Sequence, residues 1–352
     1  MLQVGTRDRS AAPGEQFTVA RTRRRFLAQS YIGAIYTHRA GDGGPDRQTA
    51  GADFALSTAR FRGAQVLEFS GFWLTTSPAA AAGGGSAYGL RLNYPNDPLN
   101  LRIAVSDVQP GYDPASGFVD RRAYRRVNPG ARFIRHTSTN PIVRRYSFEA
   151  DLDWRFDPEG RLETRRPDLQ VLRVDLQPGD PFEFHVLPML ERLPRPFTIF
   201  PGVTLPAASV YTFLRRQYRY QTAGLRIVAV NGQVEEGSFY SGDRRQLTAT
   251  VTVRPRRGWL LALTGDRNDV RLPEGRFTTT LWRADANTQF SPWISLAQNL
   301  QYDTVTRALG WQARFRWILK PGDDFYFVYT HNWIETRRQR SPLSITERPR
   351  RS

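Results

Sequence analysis

RRYSFEADLDWRF, residues 144–156, sets Phe148, Ala150, Leu152, Trp154 and Phe156 on one side of an extended chain and Glu149, Asp151, Asp153 and Arg155 on the other. Successive side chains of a strand point to opposite faces, so this stretch reads as a strand with one apolar and one charged face. The same period recurs on both sides of it. Tyr88, Leu90, Leu92 and Tyr94 alternate with Ala87, Gly89, Arg91 and Asn93, and Leu247, Ala249, Val251 and Val253 alternate with three threonines. In GWQARFRWI (310–318), Trp311, Ala313, Phe315 and Trp317 alternate with Gln312, Arg314 and Arg316. Helical periodicity is almost absent.

Between these strands come turn formers at short intervals: YPNDP, FDPEG, QPGD, VNGQ, YSGDRR, RPRRG, TGDRND, LPEG and LKPGD. Pro, Asn, Asp and Gly set hairpin geometry through fixed or positive φ angles, so the expectation is a meander of roughly 14 to 18 antiparallel strands. Three stretches break the rhythm and are expected to be long loops, near 40–51, 77–86 and 109–129, the last with a short helix around FVDRRAYRR. Between Asp180 and Tyr211, Pro188, Pro194, Pro196, Pro201 and Pro206 interrupt strand-like sequence. Proline cannot donate to a ladder, which predicts an interrupted passage, either a plug folded inward or an irregular rim.

Two-faced strands suit a soluble sandwich as well as a membrane barrel, and the placement of aromatic and charged residues separates them. Phe, Tyr and Trp make up 12% of the chain. Many fall near strand ends, as the interfacial girdles of a transmembrane barrel require. The opposite faces carry charges in mid-strand, which a polar lumen tolerates. The predicted fold class is therefore all-β, an antiparallel up-and-down transmembrane β-barrel over residues 1–335 with a polar tail over 336–352. Leu90, Leu92, Leu152, Trp154, Val251, Phe315 and Trp317 are expected to face lipid; Arg91, Asp151, Asp153, Arg314 and Arg316 are expected to face the lumen.

The chain contains no cysteine and four histidines, none in metal-binding spacing, so no cofactor or metal is expected. The formal charge of +17 is spread along the sequence as arginine rather than gathered into one patch. That distribution favours solvated turns or a basic lumen over a nucleic-acid interface. Glu149, Asp151 and Asp153 share a face, but alternate residues of any strand do, so the spacing carries no catalytic constellation. AAGGGSAYG lacks the following helix and lysine of a phosphate cradle. The first residues, MLQVGTRDRSAAPGEQF, contain no apolar core of signal-peptide type, which an outer-membrane protein needs, so either the chain is a piece of a longer precursor, as expected here, or the barrel expectation fails.

ERLPRPF (191–197), PGVTLPAASVYTF (201–213), GSFYSGDRR (237–245), LPEGRF (272–277) and the run from Phe290 to His331 resemble the C-terminal barrel region of a large uncharacterised bacterial family. FTVARTRRRFLAQSYIGAIYTHR (17–39) resembles an early strand pair of the same region. In that family the barrel usually follows a module similar to the family-nine carbohydrate-binding modules, and the resemblance implies an outer-membrane barrel of unknown substrate. The binding module and a closing amphipathic strand with a terminal aromatic are not found here; the chain ends SPLSITERPRRS. Expected partners are outer-membrane lipid, the outer-membrane insertion machinery and glycans, with no nucleic acid. The expected role is a channel or the membrane anchor of a carbohydrate-binding protein. The alternative is a soluble β-sheet glycan-binding protein, with a carbohydrate-active enzyme third.

Overall fold

A computed structural model describes residues 1–6, 14–41, 46–77, 85–119, 121–320 and 322–334, and among them there are strands and turns but no helix. No helix is thus long and apolar enough to cross a membrane. The strands are antiparallel, and 21 of them belong to one large sheet. Two compact units divide the chain: residues 1–224, 231–247 and 269–277 form the first, and 225–230, 248–268 and 278–352 form the second.

The first unit is a meander. β1 (Leu2–Gly5), β2 (Glu15–Phe26), β3 (Ser30–Gly41), β4 (Arg47–Phe61), β5 (Gln65–Ser77), β6 (Ser86–Pro95), β7 (Leu99–Val108), β8 (Tyr124–His136) and β9 (Val143–Asp151) each pair with the next. β10 (Trp154–Phe156) keeps the register of β9 against β8, since Gly130 lies opposite Asp151 and Val127 opposite Trp154. Residues 143–156 therefore act as a single strand with one uninterrupted alternation. β11 (Leu162–Arg165) and β12 (Asp168–Leu176) return alongside it. Both also pair with β13 (Pro181–Leu193).

Beyond β13, a separate two-stranded hairpin of β14 (Phe197–Phe200) and β15 (Val203–Leu205) precedes β16 (Ser209–Gln221), which pairs along the whole of β13. β17 (Val228–Phe239) pairs with β16. β17, β18 (Gly242–Val253), β19 (Trp259–Leu272) and β20 (Gly275–Ser291) each contribute residues to both units. In the second unit β20, β21 (Ile294–Asp303), β22 (Ala308–Lys320) and β23 (Asp323–Ile334) pair in succession.

The strands outnumber the 14 to 18 expected, because several hairpins turn without the residues that mark turns. Leu27 and Arg307 hold positive φ angles of 53° and 52° in tight connections that carry neither Pro nor Gly at that position. Conversely, two sequences read as breakers are strand. In VNGQ, Asn231 and Gly232 pair with Gln221 and Tyr220. TGDRND lies inside β19, where Gly265 makes room for a ring: a Cβ there would come within 2.8 Å of Trp282.

The expected long loops shrink too. β3 runs to Gly41 and β4 starts at Arg47, so much of the 40–51 stretch is strand, while 42–45 lie outside the described residues. Between β5 and β6, residues 78–84 also lie outside them, as do 335–352 with the expected tail. The 109–129 loop ends at Tyr124, which pairs with Val108, and the expected helix around 118–126 is absent among the described residues, its last residues being the start of β8.

Prolines also mislead in the stretch from Asp180 to Tyr211. Pro188 sits within β13, opposite Leu214 of β16. On the other edge β12 pairs only as far as Val186, and β11 resumes at Leu190. The missing N–H falls in a gap where no ladder partner needs it.

Face segregation follows from register. Leu90 lies opposite Gly71 and Val105, and Leu92 opposite Phe69 and Ile103. This row stays open: Leu90 is 47% and Ile103 43% exposed. The reverse side is where burial occurs, and what it buries is polar. Of the four largest fully buried side chains, Thr164, Asp175 and Ser147 are polar and Leu205 alone is apolar.

Among the described residues one apolar cluster is buried: Leu193, Val203, Leu205, Val270 and Leu272. Around it pack Ile199, Phe200, Tyr211, Phe239, Tyr240 and Phe277, with the Phe200 and Phe277 rings stacked 4.4 Å apart. On β13 and β16, Leu193 and Tyr211 continue the alternation of the charged face, so the β14–β15 hairpin lies across one end of that face. Leu205 is fully buried at its centre. Leu205→Ala is expected to cost about 2–5 kcal/mol by equilibrium denaturation, with Thr198→Ala on the exposed side of the hairpin costing far less.

Candidate functional site

The charged face runs across the strands of the large sheet from β2 to β17, the β14–β15 hairpin apart. Its organising unit is an arginine on one strand reaching a carboxylate on another. Arg21 of β2 donates two bonds to Asp53 of β4, at 2.5 and 2.9 Å, across β3. Gly33 makes that crossing possible: a Cβ there would lie 2.8 Å from the guanidinium and 3.0 Å from the carboxylate. The device repeats. Arg102 of β7 reaches Asp151 of β9 over Gly130 of β8, where a Cβ would stand 2.6 Å from Arg102 Nε.

Asp151 also accepts from Asn128 at 2.8 Å, and Asp153 accepts from Arg126 at 2.7 Å with Arg155 at 3.5 Å. Glu149 faces Arg132 at 3.5 Å. The three carboxylates that share this strand face are thus each met by an arginine of their own. Their arrangement is that of a charged wall.

The centre of the network lies farther along, on residues that the sequence did not single out. Asp175, 2% exposed, accepts from Arg145 and takes a two-pronged contact from Arg173 at 3.0 and 2.9 Å. Arg173 also binds Glu183, which accepts from His185 Nε2 at 3.2 Å with Arg219 at 3.6 Å. His185 Nδ1 lies 2.6 Å from Asp168. On β16 and β17, Arg215 and Gln217 both donate to Glu235, the latter at 2.8 Å.

A bulge between Gln170 and Arg173 hides this group from pattern reading. The extra residue shifts the alternation in mid-strand. Val171 is pushed out to 45% exposure, while Gln170, Arg173 and Asp175 stay on one face. Summed along the register, the signal that could have found them is RVDL paired with FEFH, two short alternations in opposite charge phase.

Two segments lie over this face. The β14–β15 hairpin covers the end near β13 and β16. The connection from Gln109 to Ala123 covers the same end of β4 and β5: Ala115 N–H donates to Thr49 Oγ1 at 2.8 Å, Asp113 N–H to Thr76 Oγ1 at 3.3 Å, and Asp113 binds Arg47 and Arg122. Tyr112 and Ala115 are buried there. Because successive strands are antiparallel, the connections after β3, β5, β7 and β13 all emerge at this end. The opposite end carries tight turns such as Leu27–Gln29 and Arg62–Ala64.

The residues expected to face lipid and lumen divide between faces as alternation requires. In the first unit Leu90, Leu92, Leu152 and Trp154 lie on the apolar face and Arg91, Asp151 and Asp153 on the charged one. In the second, Phe315 and Trp317 lie opposite Leu296 and Ile294, and opposite Phe327 and Phe325. Arg314 and Arg316 take the reverse side, where Arg316 reaches Asp324 at 2.8 Å, and Val251 is an exposed apolar residue of β18. No cluster of three or more His, Asp or Glu suited to a metal ion occurs among the described residues.

Two turn groups titrate out of the ordinary. Burial raises the Tyr240 hydroxyl, with Glu191's charge adding to it. Asp157, in the turn from β10 to β11, is opposed by desolvation, yet the backbone N–H and the guanidinium of Arg161 outweigh it and lower its pKa. A carboxylate whose folded pKa is depressed stabilises above its unfolded pKa and loses that contribution as pH falls through the folded one. Asp157→Asn is therefore expected to flatten the acid limb of the stability profile below the usual aspartate range while leaving neutral-to-alkaline slopes unchanged.

Comparison with protein-family models, curated proteins and solved structures gives no significant match. Removing one member of a buried ion network strands its partners: Asp175→Asn is expected to lower stability by about 3–5 kcal/mol in equilibrium unfolding. Adding Arg145→Met, whose ion pair is with Asp175, should recover part of that loss.

Proposed function

We propose that this chain is an outer-membrane β-barrel of the channel type, with the charged face lining a lumen and the apolar face against lipid. One observation carries the reading: the sheet buries Asp175, His185, Arg215 and Glu235 while leaving Leu90, Leu92, Ile103, Val105, Val251 and Trp317 open. In water that distribution is inverted, since each large apolar side chain gains about 1.5–3 kcal/mol on leaving it. In a bilayer it is what a barrel strand needs, every second residue apolar and the alternate ones free to be polar. Leu90, Leu92, Leu152, Trp154, Val251, Phe315 and Trp317 then meet lipid, and Arg91, Asp151, Asp153, Arg314 and Arg316 meet the lumen.

The two segments over the charged face would narrow such a lumen at one end. Long connections at that end and tight turns at the other match the loop asymmetry of outer-membrane barrels, whose longer loops face outward. An anchor for a carbohydrate-binding module is the second form of the same reading, and a soluble glycan-binding sheet is the alternative, which requires some other cover for the apolar rows.

The chain expressed with an added signal peptide is expected in the outer-membrane fraction, migrating compactly on a detergent gel until heated. A soluble, unshifted product would exclude the barrel. In planar bilayers the excess of arginine predicts anion preference by focusing positive potential in a narrow lumen. Deleting residues 197–205 is expected to raise single-channel conductance; unchanged conductance would remove the constriction.

A further inference from the structure

A charged groove of about 630 Å3 interrupts the apolar face near the long-loop end of β16–β19. Arg216, Glu236, Asp243, Arg245, Asp269 and Arg271 line it. None of these lies on the charged face described above: on β16, Arg215 and Gln217 are buried on that side, while Arg216 points with Leu214 and Tyr218 to the other. Arg216 stands opposite Glu236 on one neighbour and Val186 on the other. Glu236, Asp243 and Arg271 fall near the ends of their strands, and the next outward residue along β18, Leu247, is 50% exposed and apolar.

Arg216, Arg245 and Arg271 enter no ion pair with a carboxylate among the described residues, unlike Arg21, Arg102, Arg173 and Arg215 of the opposite face. On the proposed membrane reading, these guanidinium groups sit at the edge of an apolar belt. Charge on the lipid face of a barrel is costly at mid-depth and tolerable near the interface, where it can meet a headgroup.

We infer that this groove binds the headgroup of a phosphorylated glycolipid. The chemistry is divided between two kinds of group. Arginines pair with phosphate through charge-assisted, often two-pronged hydrogen bonds. The carboxylates Glu236 and Asp243 accept hydrogen bonds only, which suits the hydroxyls of a sugar and repels a second phosphate. A plain anionic glycerophospholipid would use the arginines and leave both carboxylates opposed to its charge. Leu214 lines the groove, and Tyr218 and Leu247 follow Arg216 and Arg245 on the same faces of β16 and β18, where acyl chains would descend.

The inference rests on the membrane reading, and one experiment separates their failures. The full chain is incorporated into nanodiscs of phosphatidylethanolamine and phosphatidylglycerol, with or without a rough-type lipopolysaccharide, and retained lipid is identified by native mass spectrometry. The wild type is expected to retain the glycolipid about tenfold more tightly than an R245Q/R271Q variant, and dephosphorylating the glycolipid should abolish the difference. Equal heat-modifiable migration of the two chains establishes that the variant is folded. Insertion with equal retention by both chains, or preferential retention of phosphatidylethanolamine, overturns this inference alone. A wild type that enters no disc of any composition overturns the membrane reading and this inference with it.

Discussion

Cross-strand pairing of arginine with carboxylate is the interaction on which the rest of this sheet depends. A face that buries Asp175, Glu183 and Glu235 stands only if each charge is met within hydrogen-bond reach, because an isolated ion out of water is far costlier than any single pair returns. The guanidinium group is suited to this, since its planar fork reaches two acceptors at once, as Arg173 does between Asp175 and Glu183. The preference for arginine follows from the same geometry: Lys320 is the only lysine of the chain. The strong positive charge that first suggests phosphate binding is, for much of its length, the inventory of a wall.

Backbone shape serves the same network. Gly33 and Gly130 occupy strand interiors, where glycine ordinarily weakens a sheet. Each lies under a guanidinium crossing from one strand to the next but one, and any side chain there would occupy the space of the crossing group. Stability given up at the glycine is returned by an ion pair that could not otherwise span about twice the 4.8 Å strand spacing. The same reasoning explains why these glycines sit in alternation with apolar residues rather than in turns.

The faces were legible in the sequence because alternation is a local property. RRYSFEADLDWRF keeps its period across Leu152 and Asp153, where the regular ladder lapses, and the register confirms it as one strand. What was not legible depended on neighbours. TGDRND looks like a turn until Trp282 is known to pack over Gly265, and Leu27 gives no sign that it will take a left-handed turn. Proline at 188 argued against a strand, but its partner edge is interrupted at that point. The Asp168–His185–Glu183–Arg173–Asp175 group was hidden by a bulge, which moves residues between faces without altering composition.

The buried apolar cluster beneath the β14–β15 hairpin follows from these constraints rather than standing apart from them. The charged face carries only scattered apolar residues, such as Phe72 and Leu187, along most of its length, so a segment rests on it where alternate residues of several strands change character together. That change occurs at the ends of β13, β16 and β17, where Glu183 and His185 give way to Leu193, Gln217 and Arg215 to Phe213 and Tyr211, and Glu235 to Phe239. Leu205 and Val203 meet that apolar patch while Thr198 and Thr204 hydrogen-bond to each other on the exposed side. The position of the hairpin is thereby written into three strands at once, and shifting it along the face would set Leu205 against Arg215 and Glu235, a burial that hydrophobic contact could not compensate.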